Sequence, residues 1–158
     1  MDLTTLQRDW PATLRIPTAA GDAVLDRADD LVALHDVADA DPGLTFEGGR
    51  VAIRRVDDVD GADTKTVGPV YRQGPGGTPA VPTGRILVRY AAGDRIERHR
   101  GELAAAGFEL EDVLGYAPQA GWVRGSDIGP SLAGLDRLAA LDGIEHVEPQ
   151  LLREAARR

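Results

Sequence analysis

Apolar and polar residues alternate along several short stretches of the chain, a pattern that predicts half-buried β-strands. The clearest stretch is 85–90, Arg-Ile-Leu-Val-Arg-Tyr, which places three apolar side chains on one face and two arginines on the other. Similar short strands are predicted at 108–113, 121–124 and 144–147. Each of them has one face suited to a core and one suited to a polar environment.

Two helices are predicted between these strands. Asp94, followed three residues later by a glutamate, is typical of a capped helix start, and Gly107 of a helix end, which predicts a helix over about 95–106. Pro130 suits the first turn of a second helix, which carries a stripe of leucines and ends at Gly143. The element order is therefore β-α-β-β-α-β. It predicts an α+β, ferredoxin-like domain: a four-stranded antiparallel sheet with both helices on one face, preceded by a small mainly-β region.

Composition divides the chain into four parts. Residues 1–64 combine short apolar runs with acidic loops and are predicted to form a small acidic region rich in β-hairpins. Residues 65–83 are rich in glycine and proline, which suit neither a helix nor a central strand, and are predicted to be a linker. The ferredoxin-like domain is predicted to span 84–150, and a C-terminal tail 151–158.

Charge and composition exclude several classes of partner. The 158 residues include 18 Lys and Arg against 26 Asp and Glu, giving a net charge of −8, so nucleic acid is not an expected partner. The chain has no cysteine for a disulfide or thiolate site. No apolar stretch approaches the length of a membrane span, so no membrane partner is expected. Without a basic and then apolar leader, the chain as given is expected to be cytoplasmic, or secreted if a leader was removed.

No catalytic residues, metal ligands or cofactors are predicted. His35, His99 and His146 fall in three different elements, with no zinc-binding motif around them. The glycine-rich stretch 74–77 lacks the Lys-Ser/Thr that a phosphate-binding loop requires. Trp122 has two interpretations, a core residue or part of a contact surface.

The second half of the chain resembles the propeptide of subtilisin-like serine proteases (peptidase family S8, with an inhibitor I9-like prodomain). The resemblance rests on the opening strand 86–90, the second helix around 132–141 and above all the sequence Gly-Ile-Glu-His-Val-Glu-Pro-Gln at 143–150. In that family the last strand ends in a Val-Glu-Pro-Asn-like sequence. Gln150 stands here where the asparagine is usual, and the resemblance covers about 84–153.

The resemblance implies that the chain is not an enzyme. It implies an intramolecular chaperone and inhibitor that binds a subtilisin-type protease, in cis or in trans, by its sheet and lays its C-terminal tail in the active-site cleft like a product. Acidic residues between the central strands then cap protease helices. Pro149 is expected to end the last strand, so that residue 150 onward leaves as an extended peptide. The protease-binding residues implied are Glu111, Asp112, Glu148, Pro149, Gln150, Leu151, Leu152, Arg157 and Arg158.

Two other functions stay open. The domain could be a regulatory or partner-binding module with no protease partner, which binds a small ligand or mediates oligomers, or it could be an enzyme in its own right. The composition of 151–158 favours a helix, whereas cleft binding requires an extended peptide.

Overall fold

The computed structural model of the protein describes residues 3–36, 45–46, 49–59, 66–74 and 76–153. The chain divides into two compact units. Unit 1 comprises Met1–Thr83 and Leu151–Arg158, and unit 2 comprises Gly84–Gln150.

Unit 1 is built mainly from short strands. Its elements in chain order are α1 (Leu3–Asp9), β1 (Thr13–Thr18), β2 (Gly21–Arg27), β3 (Leu31–His35), β4 (Thr45–Phe46), β5 (Gly49–Arg55), a 3₁₀ turn (Val56–Asp58), β6 (Val67–Gly68) and β7 (Tyr71–Arg72). β1 and β2 form an antiparallel hairpin, and β2 pairs with β7. β3 pairs with β5 on one side and β6 on the other, both antiparallel.

Unit 2 holds the longest strands. β8 (Ala80–Tyr90) begins in unit 1 and enters unit 2 at Gly84. The elements that follow are a 3₁₀ turn (Ile96–His99), α2 (Arg100–Ala105), β9 (Glu109–Leu114), β10 (Ala117–Arg124), α3 (Ile128–Ala133), α4 (Leu135–Ala139) and β11 (Ile144–Arg153). Within unit 2, β8 pairs with β10 and β11, and β10 pairs antiparallel with β9.

The N-terminal helix of unit 1 is held by packing and by one arginine. Leu3, Leu6 and Trp10 belong to an apolar cluster with residues of β3 and β6. The Arg27 guanidinium donates hydrogen bonds to the carbonyl oxygens of Gln7 and Trp10, both at 2.7 Å. These carbonyls lie at the end of α1, where backbone acceptors lack helical partners. Arg27 therefore satisfies the carboxyl end of the helix and fixes it on β2.

A second apolar cluster of unit 1 includes residues from both segments of that unit. Ala28, Val51 and Val81 are buried in it, together with Ala33 and Val70. Leu152, near the end of β11, packs against this cluster and is itself half-buried. The end of β11 is thus part of the unit 1 core.

The core of unit 2 lies between its sheet and its helices. It is formed by side chains with at most 8% of their surface exposed, from β8 (Ile86, Val88, Tyr90), from the helical segment 96–105 and the turn that follows it (Ile96, Leu103, Phe108), and from β9, β10 and α4 (Leu110, Val123, Leu138). This packing explains the alternation of apolar and polar residues in 85–90: the apolar side chains face the core, and Arg85 and Arg89 point away from it.

The second helix predicted from the leucine stripe is broken in the middle. It consists of α3 and α4, which meet at Gly134. A Cβ atom at Gly134 would lie 2.7 Å from the Phe108 ring, so the close approach of that ring requires glycine. The helix predicted at about 95–106 is present as the 3₁₀ turn and α2.

The ferredoxin-like fold class predicted from the sequence is wrong. Strands make up 48% of the structure and helices 23%, and the strands pair in sheets of seven and four, which is a β-rich α+β fold. The prediction began its first strand at residue 85 and ended its last near Val147. β8 begins earlier, at Ala80, where it pairs with Tyr71 of β7, and β11 continues to Arg153. The pairing consequently extends beyond four strands.

The glycine- and proline-rich stretch 65–83, predicted to be a linker, contains β6, β7 and the start of β8. Residues 80–83 are all buried. Pro82 lies between Ala80, which pairs with β7, and Arg85, where pairing with β10 begins, so neither ladder needs its missing N–H. Gly84 follows with φ +90°, a conformation that favours glycine. Proline and glycine therefore sit inside a strand where its pairing changes.

Candidate functional site

The open face of the unit 2 sheet carries a cluster of four side chains. Arg85 of β8 and Trp122 and Arg124 of β10 alternate with the core residues of their strands, and Glu111 comes from β9. These four residues are called the Trp122 cluster below. They lie on the side of the sheet that the helices of unit 2 do not cover.

Glu111 reaches this face because β9 is irregular at that point. Trp122 pairs with Asp112 and Val123 pairs with Leu110, so Glu111 is the extra residue of a β-bulge. A bulge bends its strand and redirects the side chain of the extra residue. Gly121 permits the close approach here, because a Cβ atom on it would overlap the Asp112 carbonyl oxygen.

Two arginines hold the Glu111 carboxylate. Its oxygens lie 3.4 Å from Arg85 Nε and 3.3 Å from Arg124 Nε. The exposed fraction of the side chains is 18% for Arg85, 34% for Arg124 and 37% for Glu111. Ion pairs this accessible to solvent contribute at most about 1 kcal/mol each, so their main effect is to restrict the orientation of the side chains.

Arg85 also covers Trp122. Its guanidinium carbon lies 4.8 Å from the centre of the Trp122 ring, within the range of a cation–π contact. Trp122 is half-buried. The face therefore presents a large aromatic ring that is flanked by charge and covered by Arg85, and aromatic residues and arginine are enriched in protein interfaces.

Asp112 lies apart from this network. Its carboxylate accepts a hydrogen bond of 3.0 Å from the N–H of Val113. Glu111 and Asp112 are both strand residues of β9, and not loop residues as the implied helix-capping role requires. The turn between β9 and β10 instead presents Tyr116, whose surface is 87% exposed.

Residues 150–153 are not part of a free peptide, as the sequence predicted, but belong to β11. Pro149 is buried within β11, and the strand continues through Gln150, Leu151 and Leu152. The expectation that Pro149 ends the strand is wrong, because β11 pairs only with β8 in the described part of the chain and an edge strand tolerates a proline.

The remaining implied site residues lie in separate places. Glu148 is paired with His146, Oε2 to Nε2 at 3.1 Å, whereas Glu111 is paired with the two arginines. Arg157 and Arg158 lie outside the described residues.

Sequence reasoning placed Arg85 on the open face. It did not find Arg124 and Glu111, the two residues that form an ion-pair network with Arg85. The pairing of β9 with β10 is needed to see them, and the bulge leaves no clear signal in the sequence. Sequence reasoning also assigned no role to His99. The spacing of Asp94 and Glu102 around His99, five residues before and three after, was a usable signal, because residues three apart on a helix are neighbours.

Among the described residues, no group of three or more His, Asp or Glu side chains is arranged to hold a metal ion. Over those residues no helix has the length and apolar character needed to cross a membrane.

Comparisons with known proteins do not extend this picture. No protein-family model matches the chain, no curated protein is significantly similar to it, and no solved structure matches it.

Proposed function

We propose that the chain is a propeptide-like inhibitor and folding chaperone of a subtilisin-type serine protease, and that it binds the protease through the Trp122 cluster on the open face of unit 2. The observation that carries the proposal is the half-buried Trp122 ring held under Arg85, beside the Arg85–Glu111–Arg124 network. The identity of the partner rests on the resemblance of residues 84–153 to such propeptides.

The residue types of the cluster support a protein partner. Tryptophan and arginine are enriched among the few residues that dominate binding energy in protein interfaces. Arg85 contacts both the Trp122 ring and the Glu111 carboxylate, so these side chains are already ordered before binding. Ordering before binding reduces the entropy lost on association.

The structure of β11 changes which tail residues can take part. Leu151 and Leu152 are strand residues, and Leu152 packs against the core of unit 1. Placing them in a protease cleft would remove that packing. Binding therefore begins with the sheet face, and residues 151 and 152 enter a cleft only if β11 detaches there.

The test is inhibition of subtilisin by the full chain and by two variants. Trp122→Ala removes the central ring and is expected to raise the inhibition constant at least about 30-fold, the equivalent of roughly 2 kcal/mol for a dominant interface residue. Val24→Ala in unit 1 is the matched control, since Val24 is also a large apolar residue with 45% of its surface exposed. It should leave inhibition unchanged.

Thermal unfolding of each variant separates lost binding from lost folding. Equal inhibition by the folded Trp122→Ala variant and the full chain would remove the cluster from the mechanism. Absence of inhibition across a panel of subtilisin-type proteases, with the full chain folded, would reject the protease as partner.

A regulatory or partner-binding module without a protease partner is the second candidate. The observation that favours it is the continuation of β11 to Arg153, because a strand anchored by Leu152 is not a product-like tail. Sedimentation of the full chain over a range of concentrations tests its simplest form, self-association. Dimers lost in Trp122→Ala, together with absent protease inhibition, would support this candidate.

A further inference from the structure

His99 is held on three sides near the start of α2. Its Nε2 lies 2.9 Å from Asp94 Oδ2, and its Nδ1 lies 3.1 Å from Glu102 Oε2. The ring stacks on the Tyr90 ring with 3.8 Å between centroids and 8° between planes. Only 18% of the His99 side chain is exposed.

The two nitrogen contacts fix the protonation state that suits this geometry. A neutral imidazole donates one hydrogen bond and accepts one, whereas an imidazolium donates two. Carboxylates only accept. Both contacts are therefore satisfied at once only when His99 carries a proton on each nitrogen.

We propose that His99 is a proton-controlled clamp of unit 2: its imidazolium joins Asp94 to Glu102 and holds the start of the helical segment 96–105 on Tyr90 of β8, and loss of one proton breaks one of the two links. The inference does not rest on the proposed function.

The clamp affects the core of unit 2 because the helical segment that it holds contributes core side chains. Ile96 and Leu103 belong to this helical segment, and both are fully buried in the unit 2 core. Tyr90, on which the ring stacks, is buried in the same core. Loosening the clamp therefore loosens the packing of the segment on β8.

The charges that act on the ring are carboxylates. Burial by itself lowers the pKa of His99, but the hydrogen bonds that its ring donates to Asp94 and Glu102, and the negative charges of these two residues, outweigh burial, so the pKa is raised above 6.5. The His99 hydrogen bond and the Arg95 backbone N–H lower the pKa of Asp94 below 3.8, with a contribution from the Arg98 charge. From β8, burial raises the pKa of Tyr90 to about 12, so its ring stays neutral.

These directions define a pH window. A raised histidine pKa stabilises the folded state fully below the unfolded value of 6.5, and the contribution is lost as the pH rises through the folded pKa. A lowered aspartate pKa contributes above the unfolded value of 3.8 and is lost as the pH falls through the folded pKa. The clamp is complete between these two values and opens on the alkaline side.

The first test is an NMR titration of the three histidines in the full chain. His99 should titrate above 6.5, and Asp94→Asn should move its titration to lower pH. His146, which contacts one carboxylate, Glu148, is the internal comparison. A measured His99 pKa at or below 6.5, or a His99 titration that Asp94→Asn leaves unchanged, would overturn the proposal.

The second test follows stability with pH. His99→Gln should lower the Tm by about 3 °C at pH 6, and the difference from the unmodified chain should shrink as the pH rises past the His99 titration. His146→Gln is the matched control and should show a smaller and flatter difference. If His99→Gln does not fold, Glu102→Gln replaces it, because it removes one of the two negative charges that favour the imidazolium and keeps the ring on Tyr90. A difference that is constant with pH would contradict the clamp.

Discussion

Gly121 gives the sharpest test of how the Trp122 cluster is built. The residue lies in β10 opposite Val113, beside the bulge that redirects Glu111. A Cβ atom at this position would overlap the Asp112 carbonyl oxygen and approach Leu110 Cδ1 to 3.1 Å. Gly121→Ala therefore requires β9 and β10 to move apart, because the first obstacle is a backbone atom.

The expected loss of stability follows from the steric overlap with the backbone of β9. Extra atoms forced into a packed position destabilise a protein by about 1–3 kcal/mol. For a chain of this size, each kcal/mol lowers the Tm by about 2–4 °C, so we expect Gly121→Ala to lower it by about 6 °C. The shift should come with weaker inhibition of the proposed protease partner, since the bulge also positions Glu111 between Arg85 and Arg124.

Thermal and urea unfolding measure the effect, with two glycine controls. Gly115→Ala changes the turn of the same hairpin, where a Cβ atom meets nothing within 4 Å, and should alter stability by less than about 0.5 kcal/mol. Gly101→Ala lies in α2, also in open space, and should stabilise by up to about 1 kcal/mol. If Gly121→Ala is as stable as Gly115→Ala, the result would contradict the close approach of β9 and β10 at Gly121.

Three further substitutions test other contacts. Arg27→Ala removes two hydrogen bonds to the end of α1 and should cost about 2–3 kcal/mol, with faster hydrogen exchange in Leu3–Asp9; unchanged exchange would contradict the role of Arg27. Leu152→Ala should lower the free energy of unfolding by about 1–2 kcal/mol, and a zero effect would mean that β11 does not anchor in unit 1. Tyr90→Phe removes a buried hydroxyl without a hydrogen-bond partner in the described structure, so stability should stay the same or rise; a loss above about 1 kcal/mol would reveal a partner.

Local patterns predicted the parts of the fold that depend on short-range sequence. The alternation of 85–90 identified the buried face of β8, and Gly107 marked the end of the first helical segment of unit 2. Each is decided by periodicity or by backbone conformation at one position. Neither depends on a distant partner.

The errors have long-range causes. Pro82 and Pro149 suggested breaks, yet both lie in strands, because the N–H that proline lacks is not required at a change of pairing or at a sheet edge. Gly134 interrupts a leucine stripe because Phe108 packs against it. The candidate site was only half predictable for the same reason: Arg85 is placed by alternation, whereas Glu111 is placed by a bulge that depends on β10.

The position of Leu152 has a consequence for how the protein is made. Leu152 packs against the cluster that contains Ala28 and Val81, both far earlier in the sequence, so the core of unit 1 contains both early and late residues. A ribosome releases the early strands long before Leu152 is synthesised. Unit 1 therefore completes its core only after unit 2 has been made, and contacts of such wide sequence separation form slowly. The strands of unit 1 that are synthesised first therefore remain without the Leu152 contact until the rest of the described chain has been made.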